Sequence, residues 1–373
     1  MPASLPLVRH FRTLKDPRVV GRTTHSLETI LVIAICAVIA NAADFQQIAI
    51  FAEKRRDWLA RFLDLSNGLP SHDTYERVFA RLDPVAFQNC FARWMTAWYT
   101  KLTGKHLAID GKAARGSASP SKGFRALHMV NVWAVEANLC LGLVACDEHS
   151  NEITAIPRLL ELLDIEGALV TVDAGNCQKK IAEQIIDQKG DYLMVVKKNQ
   201  ETLHDEIEAY FLSKLGGDFK EPGMSCYEKK EKGHGRQEHR LVVVAEVPEE
   251  ITERVNWPEL NVIGMCYSQR EVGGKTYSDN VRYFIGSKKA KARYYAKGLR
   301  NHWRVENNLH WTLDVAFGED DSRVRQRTAA ANLAVVRRLA LNLVKQEETE
   351  MSVANKRYAA TLDAEYLEEI LHV

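Results

Sequence analysis

A chain of 373 residues, 46% apolar and 27% charged, is long enough for roughly two or three packed domains. Its 50 Lys and Arg against 49 Asp and Glu leave a formal charge of +1, so the overall balance does not announce a polyanionic partner. The longest apolar run, Thr29 to Ala43, is shorter than the roughly 18 to 20 residues of a membrane span and predicts a buried helix. The N-terminus shows no apolar run after its first charges, and the cysteines at 36, 90, 140, 146, 177, 226 and 266 include no C-x-x-C pair. This pattern shows no secretory signal, speaks against a zinc ribbon or a disulfide framework, and predicts a cytoplasmic protein with reduced core thiols.

Along residues 1–100, LETILVIAICAVIA, QIAIFAEKRRDWLARFL and DPVAFQNCFARWMTAWY carry apolar residues at helical spacing, broken by the turn-rich SNGLPSHD. They predict a separate N-terminal helical domain. Three β-like runs follow, LAID (107–110), HMVNVWAVEA (128–137) and CLGLVACDE (140–148), the last two joined by a turn at Asn138. Then a helix around Ile156 to Leu163 precedes the strand ALVTVD (168–173), and a helix around Ile181 to Ile186 precedes the strand DYLMVV (191–196). Residues 200–289 begin with a charged helix and continue with the β-runs RLVVVAEV, NVIGMCYSQ and VRYFIG, which predicts an inserted, mainly β subdomain. The chain returns to helix in LRNHWRVENNLHWTLDV and around Leu333 to Leu343, and residues 346–373 form a C-terminal tail.

Three antiparallel-type strands followed by helix-strand-helix-strand is the order of a ribonuclease-H-like fold: an α/β protein whose mixed sheet is flanked by helices. Asp110 and Asp173 each end a core strand in this reading, and two carboxylates at the same sheet edge mark a candidate site. Each Asp taken alone also reads as a turn or a helix cap. Glu306 lies on a predicted helix with His302 four residues before it and His310 four after, so the three share one face. Zinc through the two histidines lacks the H-E-x-x-H spacing. The stretch from Lys288 to Arg304 has seven Lys or Arg, no acid, and interleaved Tyr294, Tyr295 and Trp303, as a phosphate-tracking surface would. A solvated helix face is the bland reading of the same run.

The strings LKDPRVVGRTTHSLETIL, SHDTYERVFARLDP, AIDGKAARGS, HSNEITAIPRLL, VDAGNCQKKIAEQI, DYLMVVKKNQ and NHWRVENNLHWTLDVAFGEDDSR run through nearly the whole chain. In them the sequence resembles DDE transposases of the insertion-sequence type, specifically the H-repeat-associated proteins found with Rhs elements in bacteria. The resemblance implies a ribonuclease-H-like catalytic core formed by 101–199 and 290–345, interrupted by the β-rich insertion 200–289, with 1–100 as a helical domain that binds the DNA ends. It carries the catalytic and metal-binding acids onto Asp110, Asp173 and Glu306. Related transposases carry Y-x2-R-x3-E-x6-K around the Glu; here the positions hold Leu299, His302, Glu306 and Leu313, and only the Glu agrees. Arg304 and His310 are the candidates for the missing phosphate contacts.

The implied chemistry is phosphodiester cleavage and 3′-OH strand transfer with two Mg²⁺ ions per site, Mn²⁺ substituting, because hard divalent cations prefer carboxylate ligands and two of them neutralise charge at phosphorus. Lys112, Arg115, Lys197, Lys198, Asn199, Arg300, His302, Arg304 and His310 are then the expected DNA contacts, and Trp257 is either a stacking residue for a flipped base or a core Trp. The implied partners are double-stranded DNA with terminal inverted repeats, target DNA and a second copy of the chain, with no membrane, in a nucleoid-associated bacterial setting. A non-transposing nuclease on the same fold and an inactive DNA-binding relic of a mobile element share these features. No G-x-G-x-x-G, P-loop or nucleophile elbow supports a metabolic enzyme.

Overall fold

The computed structural model describes residues 8–372 except 20, 22, 100, 101, 120–122, 124, 148–150, 218, 220, 234 and 274. Glu148, the expected end of the third β-run, lies outside the described residues. Six helices come first: α1 (Val8–Phe11), α2 (Leu27–Ile39), α3 (Phe45–Lys54), α4 (Arg56–Leu59), α5 (His72–Arg81) and α6 (Pro84–Trp98). Short polar caps set their starts. Thr29 N donates to Ser26 Oγ at 2.9 Å, Gln47 N to Asp44 Oδ1 at 2.8 Å, and Val85 N to Asp83 Oδ1 at 2.9 Å, satisfying N–H groups that have no partner within the helix. Helix α2 is apolar on every side and correspondingly buried on every side: Ile30 to Ile39 are at most 1% exposed. No described helix is long and apolar enough to cross a membrane.

Next come β1 (His106–Ala114), β2 (Leu127–Ala134), β3 (Leu139–Ala145), α7 (Glu152–Leu160), β4 (Leu169–Val172), α8 (Lys179–Asp187) and β5 (Asp191–Val196), in the order expected from sequence. The insertion holds α9 (Glu201–Lys214), β6 (Met224–Gly233), β7 (Arg236–Glu246), α10 (Glu249–Val255), β8 (Val262–Val272) and β9 (Lys275–Gly286). The chain ends with α11 (Ala292–His302), a π-helical turn Glu306–His310, α12 (Trp311–Val315), α13 (Arg327–Gln346), α14 (Val353–Leu362) and α15 (Ala364–Leu371). The expected C-terminal tail is therefore helical, with Ser352 and Asp363 as its side-chain caps.

All nine strands form one sheet in the order β3-β2-β1-β4-β5-β9-β8-β7-β6. β1, β4 and β5 are parallel, and the other pairings are antiparallel. Residues 200–289 are thus continuous with the sheet of β1 to β5, because Tyr283–Gly286 of β9 pairs with Leu193–Val196 of β5. Sequence periodicity missed β6. Its residues Glu228 to Lys232 alternate no apolar side chain, and it is an edge strand tied to β7 partly by ion pairs such as Glu231 with Arg240 at 2.9 Å.

Alternate residues divide between the two faces of the sheet. Leu169, Leu193, Val244 and Phe284 pack with Ala292 and Tyr295 of α11, while Val170, Val172, Tyr192 and Met194 belong to the larger core on the other side. α11 lies close: a Cβ on Gly298 would sit 2.6 Å from the Leu193 side chain. In the larger core, α13 is buried from Ala329 to Val344 and packs on α2, α5, α6, β2 and β3. The N-terminal helices and the sheet consequently share one hydrophobic cluster. Inside it, Arg338 grips Glu319 with both terminal nitrogens and donates from Nε to Asn131 Oδ1 at 3.0 Å. Burial pushes the Glu319 carboxyl up, but the charges of Arg338 and Arg337 outweigh this and hold it below the usual range.

Candidate active site

Asp110 and Asp173 reach their positions through strand register. β1 and β4 run parallel with Ile109 opposite Val172, so Asp110 and Asp173 come next on neighbouring strands. His106, Ala108 and Asp110 alternate onto one face with Leu169, Thr171 and Asp173, the face that α11 covers. β4 ends at Val172, but β1 does not end at Asp110 as the sequence suggested. It continues to Ala114 with β2 as its partner, so the Asp110–Gly111 step is extended strand rather than a turn. Asp173 caps the short 3-10 turn Ala174–Asn176: its Oδ1 accepts from Asn176 N at 3.1 Å and from Asn176 Nδ2 at 2.8 Å.

Glu306 and His310 occupy the π-helical turn, in which Trp311 N donates to Glu306 O across five residues. Such turns concentrate at functional positions. His310 Nδ1 lies 3.3 Å from Glu306 Oε2 and 3.8 Å from Asp110 Oδ2. The His310 ring is buried, its Nε2 has no hydrogen-bond partner, and ligand atoms of Asp110, Glu306 and His310 all lie within 4.8 Å of one another. Burial, and then the Glu306 charge, raise the Asp110 pKa to about 8, while the hydrogen bond from His310 leads the causes that lower that of Glu306. Two crowded carboxylates whose mutual repulsion a cation would relieve, beside an imidazole with a buried orphan nitrogen, make a donor set that fits a divalent cation. Asp173 is outside this three-residue set.

The other expected contacts separate into two groups. Arg115, Lys197, Lys198, Asn199, Arg300 and Arg304 are exposed; Asn199 donates to Ala174 O at 2.9 Å, bracing the turn after Asp173, and Arg300 faces Glu231 at 3.4 Å. Lys112, His302 and His310 are not on the surface in this way. Lys112 is buried and bound by Asp314 at 2.6 Å and Asp320 at 3.4 Å, which ties α12 and the following loop to β1. His302 Nδ1 lies 2.9 Å from Thr171 Oγ1, which also meets His106 Nε2 at 2.8 Å and Leu107 O at 3.4 Å. Burial pushes His302 down to about 4 and His106 to about 3, which favours the neutral ring in both. Leu313, at the position of the family Lys, is fully buried, and Trp257 is a core residue.

Beside the acids, α11 and the outer parts of β6 to β9 enclose a groove of about 660 Å³. Its lining has seven Lys or Arg against one Glu, and it starts at Thr171 and His302. Arg282 lies 5.7 Å from the ring centre of the exposed Trp303. Sequence reasoning missed Glu152, Asn176 and His128, which cluster behind Asp110 and Asp173: Glu152 Oε1 is 2.6 Å from His128 Nε2, and Asn176 Nδ2 donates to Glu152 Oε2. The string HSNEITAIPRLL contained Glu152, but nothing in its spacing announces an acid beside the site.

A mixed sheet that brings Asp110 together with Glu306, with Asp173 just past the end of the neighbouring strand, fits the family that the chain matches. Residues 101–343 match the family described as "Transposase DDE domain", and residues 8–95 match that described as "DDE_Tnp_1-associated". The chain belongs to the DDE transposase family. It is 38% identical over 369 residues to "Putative transposase YncI" of Escherichia coli O157:H7, covering 98% of this chain and 94% of that protein. It is 37% identical over 370 residues to "H repeat-associated putative transposase YhhI" of E. coli K12, covering 98% and 97%. The resemblance to H-repeat-associated proteins and the ribonuclease-H-like fold class are thereby borne out. A solved piggyBac transposase synaptic complex with hairpin DNA aligns with a TM-score of 0.42 at 11% identity, over 100% of this chain and 82% of that one.

Proposed function

We propose that this chain is an active DNA transposase that cuts phosphodiester bonds at insertion-sequence ends and joins the 3′-OH to target DNA, with Asp110, Asp173 and Glu306 as its catalytic acids. The observation that carries the reading is the convergence of Asp110, Glu306 and His310 within 4.8 Å, with Asp173 next in register on the neighbouring strand. Asp110 and Glu306 would hold Mg²⁺ or Mn²⁺ with His310 beside them, and Asp173 would serve a second ion. A bound divalent cation supplies charge neutralisation at phosphorus and activation of the attacking oxygen.

The chain's own residues do the rest. The Lys112 pairs with Asp314 and Asp320 fix α12 against β1, so Glu306 and Asp110 keep their spacing without a cation between them. Arg115, Lys197, Lys198, Arg300 and Arg304 would meet phosphates, and Trp303 in the basic groove would stack on an unpaired base. Helices of residues 1–100 would read the terminal repeats, and a second copy of the chain would bring the two ends together.

The test is cleavage of a plasmid carrying the DNA that flanks the gene, with Mg²⁺ or Mn²⁺, comparing wild type with Asp173→Asn. Metal-dependent cuts at the repeat boundaries by the wild type, lost in the variant with DNA binding retained, are the expected result. Equal cutting by both proteins would remove Asp173 from the mechanism, and binding without cutting by the wild type would favour an inactive relic.

A further inference from the structure

We infer that Glu152 is a positioning residue for Asp173, acting through Asn176 from the opposite face of the sheet. The inference rests on the metal-binding reading of the acids. Gly111 alternates with Asp110 along β1, so its missing side chain would point away from α11. That space is taken: an ideal Cβ on Gly111 would lie 2.0 Å from Glu152 Oε1 and 2.5 Å from His128 Nε2. The space beside Gly111 is filled by the end of an acid from α7, so a side chain there would have to displace Glu152 or His128.

Glu152 uses both oxygens. Oε1 meets His128 Nε2 at 2.6 Å, and Oε2 accepts from Nδ2 of Asn176, a side chain only 3% exposed. The same Nδ2 donates to Asp173 Oδ1 at 2.8 Å, and Asn176 N donates to it at 3.1 Å. One buried amide therefore spans two carboxylates, and its bond to Asp173 and that of the Asn176 backbone N–H both fall on Oδ1, which leaves Oδ2 for a cation. Without Glu152, Nδ2 loses one of its two acceptors and the amide is free to rotate, so Asp173 loses a fixed orientation. Glu152 touches no reacting atom in this arrangement and acts only through its neighbours.

The test is Mn²⁺ titration of the full-length protein, with bound ion read by electron paramagnetic resonance. Asp110→Asn is expected to abolish binding, and Glu152→Ala and Asn176→Leu are each expected to weaken it by about 10- to 100-fold. The double variant Glu152→Ala/Asn176→Leu should be no weaker than either single one, because both act along one chain of contacts. DNA affinity without metal should stay at the wild-type value in Glu152→Ala and Asn176→Leu, and raising Mn²⁺ should restore cutting by Glu152→Ala. Mn²⁺ affinity within about twofold of wild type in Glu152→Ala, alongside loss in Asp110→Asn, would overturn the positioning role, since such a partner ordinarily counts for more. Additive losses in the double variant would overturn the route through Asn176. Unchanged binding by Asp110→Asn would instead overturn the metal reading itself. Should Glu152→Ala not fold, Gly111→Ala carries the test: its methyl must displace Glu152, and an unaltered Mn²⁺ affinity would count against the inference.

Discussion

At Asp110, burial and the neighbouring Glu306 charge keep a proton on the carboxyl that an exposed aspartate would have lost. An acid whose folded pKa lies above its unfolded one binds more protons folded than unfolded across the interval between them. The contribution of Asp110 to the stability of the metal-free protein therefore falls as pH rises from 3.8 towards about 8. Asp110→Asn removes that penalty, and each pH unit of the interval is worth roughly 1.4 kcal/mol. In EDTA at pH 8 the variant should unfold at higher denaturant concentration than wild type, with the difference shrinking towards pH 5. A lower midpoint for the variant at pH 8 would contradict the assignment. Metal affinity has the opposite slope, because the ligand form is the ionised one, so Mn²⁺ should bind more tightly at pH 8 than at pH 6.

Among the elements, α12 and the loop after it are fastened in two directions: Asp314 and Asp320 hold Lys112 on β1, and Glu319 holds Arg338 inside α13. Removing one member of a fully buried pair leaves an uncompensated charge, which costs about 3–5 kcal/mol. Glu319→Ala should lower unfolding stability by that amount in a denaturant titration, whereas replacing the pair together by Leu and Met should recover most of the loss. An unperturbed single variant would show that the pair carries little. Such contacts explain what the sequence could and could not reveal. Asp110, Asp173 and Glu306 were legible because apolar runs with strand or helix spacing lead up to them. Lys112 read as a phosphate contact because its acidic partners lie far along the chain. Gly111 read as a turn because Glu152 approaches from a different element. β6 was invisible because charge pairs, not apolar alternation, join it to β7, and the π-helical turn at Glu306 leaves no mark in a pattern of 3.6 residues.

Across the whole molecule, the helices of residues 1–100 do more than sit beside the sheet, because α13 lies between α2, α5 and α6 on one side and β2 and β3 on the other. A chain starting at residue 101 would bare the apolar surface of α13. It should bind a hydrophobic dye and unfold without a cooperative transition, so recognition of DNA ends is better tested by surface point variants than by truncation. A cooperative, dye-free fragment would show the sheet to be self-sufficient. The pairing of β9 with β5 has a metrical consequence. Strands bonded edge to edge from β3 to β6 make one continuous sheet, so the arginine-lined groove and Asp110 are carried on the same framework. Any duplex gripped in that groove would meet the acids at a constant number of nucleotides from the grip, and the place of the cut would be a length measured by the sheet.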